Sequence, residues 1–355
     1  MLPSIGIVGS GLRIRTVYGP ILTRLSHAYT LAGVTNRSSE AGKSTAEMLH
    51  TQFYRDIDEL VVQSHPDILL VSVSFAANDA LALQAVETGL PCLLETPAGT
   101  TVEAIDALLR TSHRLGNLVE VAEQYHRRPM ERVKQMLIQA GAFGDIVAAY
   151  NDLMGHDYHG FNLIRSYIGR DVSPVSVVGH VQRHEVAHRT SSSESPQQEE
   201  WWRALIQFAN GAVGHFDFSS LSYGSALRWE RQTRFYGTQG MGHGDELTEV
   251  DGDGTRPLRI PLERRIHNVG GMEVLAAIAA QVGPETLVWE NPFRDVYFDD
   301  EAIAVADGLR SLTSAMTDGT ALDYGLSQAR IDQALTLAMR HSAANDSVNV
   351  LLQPF

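Results

Sequence analysis

Cysteine occurs once, as Cys92, so no disulfide can form within the chain and no cysteine-based zinc cluster can be built. It stands inside an apolar run and reads as a buried structural thiol. No stretch reaches 18 consecutive apolar residues, the length that marks a membrane span, and the N-terminus enters a strand pattern by Ser4 without the shape of a signal peptide. The expectation is a soluble cytoplasmic protein with no membrane partner. Basic charge is also scarce: 28 Lys and Arg stand against 42 Asp and Glu, a net charge of −14, and no basic patch offsets it. Such a balance repels a phosphate backbone and argues against nucleic acid as a partner. What remains is the composition of an ordinary folded protein, and at about 100 to 200 residues per domain its length predicts two domains.

From residue 4 to about 124, short apolar runs alternate with helical periods. The runs are Ile5 to Val8, Thr30 to Val34, Ile68 to Val73, Cys92 to Leu94 and Leu118 to Val121. Runs that are apolar almost throughout suit parallel strands covered on both faces, and the segments between them are long enough for crossover helices. Residues 1–124 therefore read as a doubly wound α/β domain with a parallel sheet. One helix is signalled by Thr100 and Glu103 at capping-box spacing, by Val102, Ile105, Leu108 and Leu109, and by Gly116 beyond its end.

After Pro129 the pattern changes, and residues 125–355 read as an α+β domain. A helix over Glu131 to Ala140 leads to a strand over Ile146 to Tyr150 and a helix from about Tyr158 to Ile168. Ala204 to Phe208 and Val213 to Phe218 flank Asn210-Gly211, a hairpin signal. Antiparallel meanders of this kind leave an open face, which a partner subunit often covers. Two helical patterns follow, Glu301 to Met316 and Ser327 to Met339. Arg189 to Glu200 is polar and low in complexity and reads either as a surface loop or as a lid near the site.

Gly9-Ser10-Gly11 ends the first strand directly, where a dinucleotide fold needs a tight turn and a close backbone approach to pyrophosphate at a helix N-terminus. Leu12 and Arg13 continue that turn. The third glycine position is Ile14, which predicts a looser contact between first helix and sheet. The second strand ends in Asn36-Arg37-Ser38. A carboxylate there binds the ribose 2′-hydroxyl of NAD and repels the extra phosphate of NADP. Asn36 removes the repulsion, Arg37 can form charge-assisted hydrogen bonds to a 2′-phosphate, and Ser38 adds a donor. NADP is the expected cofactor, with NAD as the alternative.

These features sit in a chain that resembles the Gfo/Idh/MocA oxidoreductases nearly end to end. The resemblance is carried by GIVGSGLRIR at residues 6 to 15, the strand and helix from Asp67 to Gly89, and LLETPAGTTVEA at 93 to 104. It continues through GHDYHGFNLIRSYIG at 155 to 169 and RFYGTQG at 234 to 240. It implies an N-terminal Rossmann domain and a C-terminal α+β domain with a large, mostly antiparallel sheet, often the site of homodimer or homotetramer formation. It further implies interconversion of a hydroxyl and a ketone on a sugar-, cyclitol- or polyol-like substrate with NAD or NADP. Ser74, Asn78, Glu95, Thr96 and Gln124 join the candidate cofactor set on the same basis, and the Thr96-Pro97 peptide is expected to be cis.

Two departures stand out. The family's Glu-Lys-Pro appears as Glu95-Thr96-Pro97, so its lysine is absent, and the family's Asp-x-x-x-His pair falls on Gly155 and His159. Oxidising a carbinol requires a base for the hydroxyl proton, and His159 can serve near neutral pH. Asp157 and His156 are close enough in sequence to replace the displaced carboxylate, although i, i+2 side chains on a helix point apart. Losing one oxyanion donor costs roughly 3–4 kcal/mol unless another group stands in. Thr96, Tyr125, His126, His156 and Tyr158 are candidates. Arg127 and Arg128, between the domains, are candidates for binding a carboxylate or polyol.

His180, His184 and His188 recur every four residues. On a strand they share a face, but successive members lie about 13 Å apart, too far to share an ion, so no metal site is expected. Trp201, Trp202, Leu205 and Phe208 read as sheet packing or a subunit interface rather than a base-stacking platform. The departures leave two other readings open: a cofactor-binding regulator or sensor without chemistry, and a redox-neutral enzyme that oxidises and re-reduces its substrate to drive elimination or glycoside cleavage.

Overall fold

The computed structural model describes residues 2–185, 198–219 and 231–353. They form two compact units: Met1–Arg127 with Val269–Val274 and Asp295–Gln333, and Arg128–Asn268 with Leu275–Arg294 and Ala334–Phe355. No helix among the described residues is long and apolar enough to cross a membrane.

The first unit is built on a six-stranded sheet. Its strands are β1 (Ser4–Val8), β2 (Thr30–Thr35), β3 (Phe53–Tyr54), β4 (Ile68–Val71), β5 (Cys92–Leu94) and β6 (Val119–Val121), in the order β3-β2-β1-β4-β5-β6. Every pairing is parallel. The near-continuous apolar runs have their cause here: β4, β5 and β6 are buried at every residue, because helices cover both faces. Cys92 is fully buried, and burial pushes its thiol up to about 12.

Crossover helices are α1 (Gly19–Arg24), α2 (Ser39–Met48), α3 (Ile57–Ser64), α4 (Asn78–Glu87) and α5 (Val102–Leu115). The cap of α5 is one residue later than the sequence pattern suggests. Thr101 Oγ1 accepts from Ala104 N at 3.1 Å, whereas Thr100 turns away to Asp79, with bonds of 2.8 Å from its amide and 2.5 Å from its hydroxyl. A tertiary carboxylate thus overrides the local capping box. Ile14, fully buried, opens a π-helical segment over Ile14–Tyr18 ahead of α1. The wider turn gives the side chain room where a glycine would have allowed closer packing.

The second unit centres on a nine-stranded sheet of order β14-β13-β12-β11-β7-β10-β9-β8-β18. Its middle strands are β7 (Ile146–Asp152), β8 (Pro174–Glu185), β9 (Gln198–Phe208), β10 (Val213–Ser219) and β11 (Gln232–Gly237). The outer ones are β12 (Gly240–His243), β13 (Glu246–Val250), β14 (Pro257–Arg259) and β18 (Val350–Leu351). All pairings are antiparallel except β7 with β10. The β9–β10 hairpin turns at Asn210-Gly211, where Gly211 has φ +87° and Asn210 Oδ1 accepts from Ala212 N at 3.1 Å. Helices α6 (Pro129–Gln139) and α7 (Asp157–Ile168) precede much of this sheet. A separate three-stranded sheet has the order β15-β16-β17 over Leu262–Val269, Met272–Val282 and Glu285–Glu290, and α8 (Asp300–Asp318) and α9 (Leu326–Ala344) follow. Residues 186–197, with His188 and most of the polar stretch Arg189 to Glu200, lie outside the described residues, while Glu199 and Glu200 belong to β9.

Candidate cofactor and catalytic sites

At the carboxyl ends of β1 and β2 a cavity of about 830 Å³ opens in the first unit. Nine of the residues singled out in the sequence line it: Gly9, Ser10, Gly11, Leu12, Arg13, Asn36, Arg37, Ser38 and Ser74. Two glycines define its floor. Gly9 has φ +113°, its amide donates to Thr35 O at 2.8 Å, and a Cβ there would lie 2.0 Å from the Ser72 carbonyl oxygen. Only glycine fits this turn. Gly9→Ala is therefore expected to lower the free energy of unfolding by at least roughly 1–3 kcal/mol in a urea titration. Gly11 is the opposite case: a Cβ on it would meet nothing within 4 Å, so its backbone faces open space. The helix's first bond runs from Arg15 N to Gly11 O at 3.1 Å, and the amides just before Arg15 are the donors that a helix N-terminus offers an anion. The cradle fits a dinucleotide.

At the end of β2 the charges are asymmetric. Asn36 Nδ2 donates to Ser38 O at 3.1 Å, and Ser38 Oγ caps α2 by accepting from Ala41 N at 3.4 Å, which leaves the serine's own proton to donate outward. Arg37 is exposed and makes no hydrogen bond or ion pair with any described residue. Arg55, Asp56 and Ile57, which the sequence reading missed, complete this end. Asp56 is the one carboxylate among the cavity-lining residues, and it is spent as the α3 cap, accepting from Glu59 N at 2.8 Å. The spacing of Asp56 and Glu59 is itself a helix-start signal that marks the loop.

Glu95 anchors the other side of the same sheet edge. Its Oε1 accepts from Arg13 Nε at 2.7 Å and from the Tyr18 hydroxyl at 2.8 Å, and its Oε2 accepts from Thr96 N at 2.9 Å and Thr96 Oγ1 at 3.4 Å. Burial and then the Glu95 charge hold the Tyr18 phenol well above its ordinary range. For Arg13, burial pulls downward, but Glu95 and Tyr18 outweigh it and keep the guanidinium above its ordinary value. The Thr96-Pro97 peptide is cis.

The remaining candidates lie off the cavity wall. Asn78 donates to Pro97 O at 2.7 Å, and Gln124 Nε2 reaches Glu301 Oε1 at 3.4 Å. Tyr125 is buried, its amide donating to Glu123 Oε1 at 3.0 Å, and His126 Nε2 meets Asp323 Oδ2 at 2.9 Å. Arg127 sits among acidic side chains. It is buried, bonded to Glu120, and held by Asp323 at 3.5 Å and Asp307 at 4.0 Å. A buried guanidinium needs this compensation, and its acidic partners occupy it. Arg128 Nη1 contacts Met154 Sδ at 3.3 Å.

In the second unit, His156, Asp157, Tyr158 and His159 gather at the start of α7. His159 is buried, with its ring 4.7 Å edge-on from that of His156 and 4.6 Å from Tyr158. His156 Nδ1 lies 3.5 Å from Asp157 Oδ2, which also accepts from Arg340 Nη2 at 2.8 Å. Asp157 thus lies beside His156, whose ring in turn stands edge-on to that of His159. Gly155 explains the missing carboxylate: a Cβ there would stand 2.9 Å from His159 Cβ, so no side chain fits without displacing the histidine.

Burial would raise the Asp157 carboxyl, but His156, Arg340 and His159 together hold it below its ordinary value. The unfolded chain therefore takes up the proton first as pH falls. Asp157→Asn is expected to lower the thermal midpoint at pH 7, and the difference should shrink as pH falls below the ordinary Asp value of about 3.9 and vanish only below the lowered value of the folded state. Calorimetric scans at pH 7 and pH 3 check this. Among the described residues, no three His, Cys, Asp or Glu side chains group to hold a metal, and His180 Nδ1 instead meets Ser347 Oγ at 3.2 Å.

The family model described as "Oxidoreductase family, NAD-binding Rossmann fold" matches residues 4–123, and the GFO/IDH/MocA C-terminal domain matches residues 109–243. The chain belongs to the Gfo/Idh/MocA oxidoreductase family. YteT of Bacillus subtilis (strain 168), provisionally described as an oxidoreductase, is 25% identical over 232 residues, covering 62% of this chain and 50% of that protein. The chain's match thus spans about half of that relative's length. An NAD-binding oxidoreductase from Klebsiella pneumoniae shares the fold with a TM-score of 0.74, 13% identity and complete coverage of both chains. A levoglucosan dehydrogenase in complex with NADH and levoglucosan shares it with a TM-score of 0.72, 15% identity and 99% coverage of each chain. Parallel β1–β6 and the large, mostly antiparallel second sheet agree with this Gfo/Idh/MocA architecture.

Proposed function

We propose that this Gfo/Idh/MocA chain is an NADP-preferring oxidoreductase that interconverts a hydroxyl and a ketone on a sugar-, cyclitol- or polyol-like molecule. The observation that carries the cofactor reading is Arg37, exposed and unpaired among the described residues, beside Asn36 where an NAD enzyme places a carboxylate. Gly9, Gly11 and Leu12 would hold the pyrophosphate side, with Ser10 and Ser74 adjoining. The levoglucosan complex of a structural neighbour supports a sugar-like substrate.

When bound, the nicotinamide supplies the hydride acceptor in oxidation and the donor in reduction. His159 takes the proton from the carbinol oxygen in oxidation and returns it in reduction. His156, edge-on to His159 and linked to Asp157, places a carboxylate charge near the imidazolium that forms, which favours that step. Tyr158, whose ring lies 4.6 Å from that of His159, is a candidate hydroxyl donor for the developing oxyanion. The test is stoichiometry on a panel of sugars, cyclitols and polyols: one NADPH consumed per alcohol formed over many turnovers supports the reading. Turnover without net NADPH change favours the redox-neutral alternative, and binding without turnover favours a sensor.

The same reading includes a homodimer or homotetramer formed through the nine-stranded sheet. Leu205, Tyr236 and Met241 are exposed, and the pairing registers put them on one face with Tyr150 and His215, whose rings stack at 4.2 Å. Light scattering should give a mass that is two or four times that of the chain.

A further inference from the structure

Arg13 belongs to the glycine turn by sequence, yet its side chain does not remain there. It leaves the first turn of the helix after β1, crosses the end of β4 and bonds through Nε to Glu95, the residue that follows β5. Glu95 is placed by its own amide, which donates to Val71 O at the end of β4 at 2.9 Å. Strand order reverses between β1 and β4, and a dinucleotide on such a sheet lies across that switch point. Asn36, Arg37 and Arg55 belong to the β2–β3 side, so Arg13 and Glu95 belong to the opposite half.

Only the Nε of Arg13 is committed. Its Nη1 and Nη2 make no hydrogen bond to any described residue, while the side chain lines the cavity. Tyr18, fully buried, bonds to the same Glu95 oxygen and flanks the guanidinium, whose Cζ lies 5.8 Å from its ring centroid. Glu95 is saturated by four donors, so it acts as a fixed anchor. The arrangement is a guanidinium on a cavity-lining residue, pinned through Nε, whose terminal donors bond to no described residue, next to a threonine that carries no charge.

We propose that Arg13 is a positioning residue for the nicotinamide half of the cofactor, its Nη donors binding an acceptor oxygen of the carboxamide or the adjoining ribose while Glu95 and Tyr18 fix its orientation. This rests on the dinucleotide reading of the cavity. It adds to that reading a division of labour between two arginines: Arg37 recognises the adenosine end and Arg13 the reactive end.

The test compares NADPH with 2′-phospho-ADP-ribose, which keeps the adenosine end and both phosphates but lacks nicotinamide, by calorimetric titration of wild type, Arg13→Ala, Arg13→Lys and Tyr18→Phe. Arg13→Ala should weaken NADPH about tenfold and the truncated ligand less than about threefold, with a shift in the fluorescence of bound NADPH. Arg13→Lys should recover part of the loss, and Tyr18→Phe should show a smaller loss of the same selectivity with the cavity arginine intact. Equal weakening of both ligands, or no change in either, overturns the assignment while leaving the dinucleotide reading in place. Wild-type protein that is folded and binds neither ligand overturns both.

Discussion

His159→Ala is expected to reduce kcat for the physiological substrate by roughly 10²- to 10⁴-fold, the usual contribution of a positioned acid–base group. NADPH affinity should stay within about twofold, because His159 lies in the second unit and lines no part of the cavity that fits the dinucleotide. Its environment makes the role specific. His156 stands edge-on at 4.7 Å, and Asp157, held by Arg340, adds a negative charge beyond it. His156→Ala and Asp157→Asn should therefore give smaller losses in kcat, since each removes support for the imidazolium that forms. A His159→Ala enzyme with undiminished kcat means that another group moves the proton.

Arg37→Ala should weaken NADPH binding by roughly tenfold to a hundredfold while leaving NADH nearly unchanged, given that a charge-assisted hydrogen bond is worth about 1.5–3 kcal/mol. The loss should shrink at high salt, because the guanidinium is exposed and its attraction to a phosphate is screened. The converse substitution, Asn36→Asp, should favour NADH by restoring the repulsion that this sequence lacks. If NADPH and NADH lose affinity equally in Arg37→Ala, the side chain contributes only general charge.

The dinucleotide site was largely legible in the sequence because its parts are local. A glycine turn at the end of an apolar run and a short polar string at the end of the next can be read one residue after another. Arg55–Ile57 escaped because β3 has only two residues, Phe53 and Tyr54, too few to show a period. The buried setting of Arg127 was not legible for a different reason. A basic residue beside a proline-bounded helix resembles a surface group, and two of the acids that neutralise it, Asp307 and Asp323, lie far along the chain. The link from Asp157 to Arg340 is equally invisible, with the partners 183 positions apart. Gly155 shows the same limit from the other direction: the sequence reveals that a carboxylate is missing, but only packing shows that His159 occupies the space its side chain would need.

The most direct test of the account is parallel calorimetric titration of purified, cofactor-stripped chain with NADPH and with NADH. The account predicts one site per chain, with NADPH bound at least about tenfold more tightly than NADH. Folded protein that binds neither, or binds NADH more tightly, would contradict it.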